Sequence, residues 1–543
     1  AEYPNLGQPE QDIQCYHHQA RLYSGDPALL EEVRPLWFTL VDTPESCIPV
    51  LQALVREGLI SPDEIWWRVR RLMEAKRNAG ARAVAGWLPS DQQPAASDLD
   101  RASANPSTWL DRLPVNFSAS RAGRELALIA LARLARDDPQ GAYVRYLSIN
   151  ERLSASERSY ALGQIAWQAA NRLMPDANAW FKAAGDTPMS DDQAAWRVRA
   201  ALRAGDWKAV RSAVEAMPAE LRAQPDWTYW LGRAQIALGN REASRKEFER
   251  IAGRPTFYSI LADEELGRTF TLPKKARAIG PDELEQTRQN PGIQRALALF
   301  RLDMRTEGSR EWNWTLRNRD DRFLIAAAQI AQQLGVYDRA INAADRTRNE
   351  HDYSLRYLAP YRERIEPNAR NQSLDTGWVY GLMRQESRFV TAARSGVGAQ
   401  GLMQIMPATG KWVAGKLGLT GYNVGWLQNP DTNVMLGTTY MRMVLEGLDN
   451  HPVLASAAYN AGPGRAKRWK DVKPLEGAIY AESIPFSETR DYVKKVMANS
   501  IVYTALLEGR APSLKARLGT ISASDGSVGA GMGSPAPGAG LEE

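Results

Sequence analysis

Two segments of this chain are copies of one another, and that repeat restricts its fold more than any other feature. "WRVRAALRAGDWKAVRSAVEAMP" begins at Trp196 and "WLGRAQIALGNREASRKEFERIAG" at Trp230, 34 residues on. Trp196 aligns with Trp230, Ala200 with Ala234, Gly205 with Gly239 and Ala209 with Ala243. Such a period belongs to a helix–turn–helix repeat. A bulky residue opens the first helix, a small one admits the second, and glycine turns the chain. "FLIAAAQIAQQLGVYDRAINAA", from Phe323, reads as a degenerate copy. Units of this kind cannot bury their apolar faces alone, so they stack into a superhelical solenoid with an extended concave surface.

The pattern is tetratricopeptide-like, and the rest of residues 1–360 agrees with it. "RELALIALARLARDD" is a helix stopped by Pro139, and "WRVRRLMEAKRNAG" is another ending at Gly80. Alternating β-branched runs are scarce, so almost no sheet is expected and the fold class is all-α. Of 17 tryptophans, only Trp378, Trp412, Trp426 and Trp469 lie beyond residue 360, which assigns most of the others to solenoid core. The chain turns polar and Pro/Gly-punctuated around "AIGPDELEQTRQNPG", and again near "RIEPNARNQS". These breaks divide it into a superhelical domain (1–277), a helical linker domain (278–360) and a third domain (361–520). A Gly/Ser/Ala/Pro-rich tail (521–543) has nothing to bury.

Composition narrows the function classes. The chain is 44% hydrophobic and 24% charged, and no apolar run reaches the roughly 18 residues a membrane helix needs. A soluble protein is expected, or one tethered by something outside this sequence. It begins at Ala1, which is compatible with a removed signal peptide or with trimming. Net charge is +5, but lysines and arginines alternate with acids along helices, so nucleic acid is not expected as a partner. His17, His18, His351 and His451 lack metal-ligand spacing, and neither a metal nor a cofactor is expected. Cys15 and Cys47 are compatible with two buried thiols or with one disulfide.

Within 361–520 four unusual stretches cluster. In "VYGLMRQESRFV" the residues Val379, Leu382, Met383, Phe389 and Val390 mark one apolar stripe, and Glu386 occupies its phase. A buried carboxylate holds its proton and suits a general acid. From phase alone, placement at the stripe edge, paired with Arg384 or Arg388, is the plainer reading. "SGVGAQGLMQIMPATG" contains Gly396-x-Gly398-x-x-Gly401, but no strand or βαβ unit surrounds it, so dinucleotide binding is rejected. A tight turn before a short helix ending near Pro407 is the plainer reading, and it leaves the Gln404 amide among apolar groups. "SAAYNAGPGRAKRW" projects Tyr459 and Asn460 from a small-residue helix, with Gly462-Pro463-Gly464 as its cap. "AESIPFSETRDYVKKV" carries Glu482, Glu488 and Tyr492 near a helix start.

Together, "RQES", "SGVGAQGLMQIMP", "AAYNAGPGR" and "ESIPFSETRDYV" occur in this order with suitable gaps. They resemble the catalytic domain of the soluble lytic transglycosylases of Gram-negative bacteria, the Slt family, whose mostly α domain is similar to goose-type lysozyme. The resemblance covers about 150 residues. The upstream array is similar to the family's superhelical and linker domains, with closure into a ring among the arrangements implied. It implies cleavage of the MurNAc-β-1,4-GlcNAc bond of peptidoglycan, leaving 1,6-anhydroMurNAc ends. Glu386 would act as general acid and then base, assisted by the substrate's N-acetyl group. Ser395 and Gln404 would bind the sugar, and Met403 and Met406 would wall the groove. Tyr459, with Asn460 beside it, would bond near Glu386 or the N-acetyl carbonyl. Glu488, or alternatively Glu482, would contact the saccharide or stem peptide.

The resemblance further implies a Cys15–Cys47 disulfide, a periplasmic location with outer-membrane association among the options, and a monomer. Its partners would be glycan strands, stem peptides and proteins of cell-wall synthesis or remodelling. Some N-terminal helices of the family's full length are expected to be absent from this sequence. Two alternatives stand beside this reading: a muramidase of lysozyme type, disfavoured because no second carboxylate stands out in the motifs, and a non-catalytic tetratricopeptide-like scaffold.

Overall fold

Helix caps and turn glycines written into the sequence determine where the elements begin and end in the computed structural model, which describes residues 3, 9–41 and 43–524. Ser61 and Ser154 each accept a hydrogen bond from the backbone N–H three residues on, and Glu64 and Glu157 return the contact. These capping boxes satisfy donors that the first turn of a helix leaves free. Pro139 opens the helix Pro139–Ile149 directly after Arg121–Asp137 ends. The single helix expected to end at Gly80 is instead two, Pro62–Glu74 and Asn78–Ala85, broken where Lys76 takes φ +61°.

The copied segments fold as hairpins. The first runs as Asp191–Ala204 followed after a short turn by Trp207–Glu215, and the second pairs Pro225–Ala237 with Arg241–Ile251. The degenerate copy pairs Asp321–Gln333 with Tyr337–Asp345. Gly205, Gly239 and Gly335 make the three turns at φ +71°, +85° and +72°, a region where other residues are strained. Trp196 and Trp230 are 2% and 0% exposed, so both are core.

The chain divides into two compact units, 1–197 and 198–543. In the first, Cys15 and Cys47 are bonded, with Cα atoms 4.9 Å apart. Glu125, fully buried there, accepts both nitrogens of a bidentate pair with Arg70 at 2.6 and 2.7 Å. The second unit holds the later hairpins and all four motif stretches.

Among the described residues the only strands are Leu475–Glu476 and Thr520–Ile521, paired antiparallel with Leu475 opposite Ile521. The all-α reading therefore holds. One detail of the tail is corrected: Ile521 is 0% exposed, so the chain does bury a residue past position 520. Residues 525–543 lie outside the described residues. No described helix is long and apolar enough to cross a membrane.

Candidate active site

The helix Thr376–Glu386 packs on the long helix Ser487–Glu508 at backbone distance. A Cβ at Gly377 would lie 2.2 Å from Thr504 Oγ1, and one at Gly381 would lie 2.9 Å from the Ser500 nitrogen. Only glycine permits that approach. Asp375 caps the first helix by accepting from the Trp378 N–H at 2.6 Å, and Arg517 holds Asp375 at 2.8 Å. The sequence pattern suggested a helix running to Val390. It ends at Glu386, because Arg388 and Phe389 turn into the left-handed region at φ +48° and +66°. Glu386 is thus the helix's last residue, where the dipole already disfavours a negative charge.

The close packing sets Tyr492 of the long helix against the acid. Its hydroxyl donates to Glu386 Oε1 at 2.5 Å. Burial is the main cause that pushes the Glu386 carboxyl up, to about 8; Tyr492 opposes the shift and Glu488 adds to it. Neither arginine offered by the sequence neutralises this carboxyl. Arg384 donates to both oxygens of Asp345 at 3.1 Å, and Arg388 makes no ion pair among the described residues.

Glu386 lines a hollow of about 330 Å³ together with Ser395, Gln404, Met406, Tyr459, Asn460 and Glu488. The segment around Gln400 forms short bridges to Arg394 and Ile405, and the following helix starts at Pro407, where the sequence suggested one ending. Gln404, at φ +47°, donates both amide hydrogens to the carbonyls of Ala393 and Gly401 at 3.1 and 2.8 Å, leaving its oxygen to accept. Ser395 Oγ accepts from the Ala399 N–H at 3.0 Å and keeps its own hydrogen. Asn460 Oδ1 accepts from Thr489 Oγ1, which leaves the amide N–H groups to donate. The hollow therefore offers one acceptor and two donors beside an acid, with Met406 as an apolar wall.

Three expectations are corrected. Met403 does not wall the hollow: it is fully buried, and its sulfur lies 2.3 Å from where a Cβ of Gly437 would stand. Tyr459 does not bond to Glu386: its hydroxyl donates to the Met403 carbonyl at 2.8 Å, and Tyr492 takes the place beside the acid. Glu482 is 0% exposed and is not among the residues that line the hollow. Arg199 Nε and Lys494 Nζ donate to it at 2.9 and 3.0 Å, and Tyr258 donates as well. Burial alone would raise its pKa, but Lys494, Arg199 and Arg490 hold it at about 2.

Asp491, Gln385 and Lys495 also line the hollow and were not singled out from the sequence. With Tyr492 they lie within or opposite the "ETRDYV" helix, so projecting that helix would have found three of the four. A second carboxylate is present after all, since Glu488 and Asp491 both line the hollow, each exposed. Through Gln385, Asp491 and Lys495 the hollow adjoins another of about 540 Å³, which Arg388 also lines.

The transglycosylase SLT domain family matches residues 363–478, which contain Glu386 and three of the four motifs. Residues 363–478 are thus a transglycosylase SLT domain. The soluble lytic murein transglycosylase L domain matches residues 286–349, and the soluble lytic transglycosylase helical domain matches 483–512. Soluble lytic murein transglycosylase of Salmonella typhimurium is 28% identical over 500 residues, covering 91% of this chain and 77% of that protein. Its Escherichia coli K12 counterpart is 27% identical over 512 residues, covering 93% and 78%. An inactive glutamate-to-glutamine mutant of the lytic transglycosylase Slt from Pseudomonas aeruginosa superposes with TM-score 0.75 at 29% identity, covering 95% of this chain and 85% of that one. The 70-kDa enzyme of Escherichia coli gives TM-score 0.66 at 25% identity, covering 94% and 83%. Like these soluble lytic transglycosylases, the chain joins an all-α helical array to a lysozyme-like domain.

Proposed function

We propose that this transglycosylase cleaves the MurNAc-β-1,4-GlcNAc bond of peptidoglycan and leaves a 1,6-anhydroMurNAc end, with Glu386 serving as acid and then as base. The observation that carries this reading is the Glu386 carboxyl, held up at about 8 by burial in a lined hollow. Near neutral pH it is protonated and can give its proton to the leaving glycosidic oxygen as the C1–O bond breaks. The muramoyl N-acetyl oxygen then supports the developing positive charge at C1. The ionised Glu386 accepts a hydrogen bond from Tyr492 and takes the proton of the C6 hydroxyl as that oxygen bonds to C1. Atoms balance without water, and holding C6–OH over C1 supplies the effective concentration.

The polar groups fit a sugar with an N-acetyl arm. The free oxygen of Gln404 suits the arm's N–H, and the Asn460 amide or the Ser395 hydroxyl suits its carbonyl. Stem peptides would extend into the adjoining hollow, where Arg388 and Lys495 make no ion pair among the described residues. We place the protein in the periplasm, where its disulfide would persist.

Hydrolysis is the rival outcome, since Glu488 and Asp491 line the same hollow. Mass spectrometry of fragments released from purified sacculi separates the two. Anhydro ends one water lighter than reducing ends are expected; reducing ends as the main product would replace this reading with a muramidase.

A further inference from the structure

A cavity of about 610 Å³, apart from the lining of the Glu386 hollow, lies where the turn after the helix Arg305–Thr315 meets the segment after Tyr337–Asp345. Arg317, Arg319, Arg346 and Arg348 line it. None of the four is ion-paired among the described residues. The two acids in the same lining are already engaged with backbone. Asp320 accepts from the Phe323 N–H at 2.8 Å, capping the helix Asp321–Gln333. Asp321 accepts from the N–H groups of Arg348, Asn349 and Glu350 at 2.8, 2.7 and 2.9 Å.

The guanidinium groups are positioned by uncharged contacts. Arg317 lies over the Trp314 ring at 4.2 Å, and that tryptophan is 63% exposed. Arg319 donates to the Thr315 carbonyl at 3.1 Å, and Arg346 donates to Asn313 Oδ1 at 2.8 Å. Burial, followed by Arg339 and Arg317, lowers the Arg346 pKa, so the cluster bears a repulsion that an anion would relieve. Planar guanidinium groups match carboxylate oxygens two at a time. The exposed indole beside them adds a flat apolar face of the kind a sugar ring covers. Asp345, next to Arg346, binds Arg384 two residues before Glu386, so the same helix end braces the acid.

From these contacts we infer that the cavity is a secondary binding site for carboxylates of the peptide branches on the glycan strand, engaging the strand away from the bond being cleaved. This inference rests on the peptidoglycan reading above. Arg317 and Arg348 are exposed, and their side chains bond to no acid, so they can be changed without unpairing a buried charge.

The test measures binding of the full chain, in a Glu386→Gln background, to intact sacculi and to sacculi stripped of peptides by an amidase. Arg317→Gln with Arg348→Gln should weaken binding to intact sacculi about tenfold, as loss of charge-assisted contacts does. Arg348→Glu alone should also weaken it. On stripped sacculi the variants and their parent should bind alike. With Glu386 restored, the variants should cleave a short soluble peptide-free glycan at the parent rate. Unchanged binding to intact sacculi overturns the inference. So does a loss that persists on stripped sacculi, which would assign the arginines to another anion such as phosphate. A slowed short-glycan reaction overturns it too, by making the effect structural. Failure of the unaltered chain to cleave any glycan would instead count against the proposed function.

Discussion

At the scale of single residues, the chemistry turns on one carboxyl and the hydroxyl beside it. Tyr492 lowers the proton affinity of Glu386 through the 2.5 Å bond while burial raises it to about 8. Tyr492→Phe should therefore move the alkaline limb of kcat/KM, which falls through about pH 8, to higher pH. It should also slow turnover by roughly tenfold or more, because the ionised acid loses its donor. A limb that stays in place would remove Tyr492 from this role. A raised carboxyl also costs stability. The folded state binds the proton up to about pH 8, whereas the unfolded chain releases it near its ordinary value of 4.5. Stability is thus lost as pH rises between those values. Glu386→Gln should be more stable than the parent at pH 7, on the order of 2 kcal/mol, and nearly equal to it at pH 4. Thermal unfolding at both pH values checks this, and an equal gain at both would contradict it. Glu386 was legible in the sequence because a carboxylate in an apolar stripe conflicts with its surroundings. Tyr492 was visible but not ranked, since its place depends on how closely two helices approach.

At the scale of elements, the site depends on two helices that touch through Gly377 and Gly381 and on a buried ionic anchor behind them. Glu482 joins Arg199, on the helix Asp191–Ala204, to Lys494 on the long helix, and Lys494 reaches Asp226 at 2.8 Å. Glu482→Ala would take the buried carboxylate from Arg199 and leave Lys494 with Asp226, and destabilisation of about 3 kcal/mol is expected. Glu482→Gln should cost less, because it keeps the shape and one acceptor. In the parent, the stability from Glu482 is present above its unfolded value of 4.5 and fades as pH falls towards 2. Urea titrations at pH 7 would measure this, and an alanine variant as stable as the parent would refute the anchor. Sequence alone offered Glu482 as a ligand contact because one basic partner, Arg199, lies 283 positions away, and the approach of the other, Lys494, twelve positions on, depends on tertiary packing. Met403 was misplaced for a related reason. The bridged turn at Gln400 sends Met403 inward and Met406 outward, an alternation that a helical reading of "GLMQIMP" cannot reveal. The hairpins were legible in detail, since a 34-residue period and its turn glycines need no tertiary knowledge.

At the scale of the whole molecule, one chain combines a helical array with a lysozyme-like domain, and most of that organisation was written locally. Caps, glycine turns and apolar stripes specify helices wherever they occur. The disulfide closes a span of 32 residues and stabilises the first unit by roughly 4 kcal/mol through the entropy of the unfolded chain. From two cysteines alone that bond remained one of two options, because pairing is a matter of distance. The most direct measurement is muropeptide release from purified sacculi by the full chain and by Glu386→Gln. The account predicts anhydro-ended fragments from the parent, and from the variant strand binding with almost no release. Release by the variant at the parent's rate would contradict it.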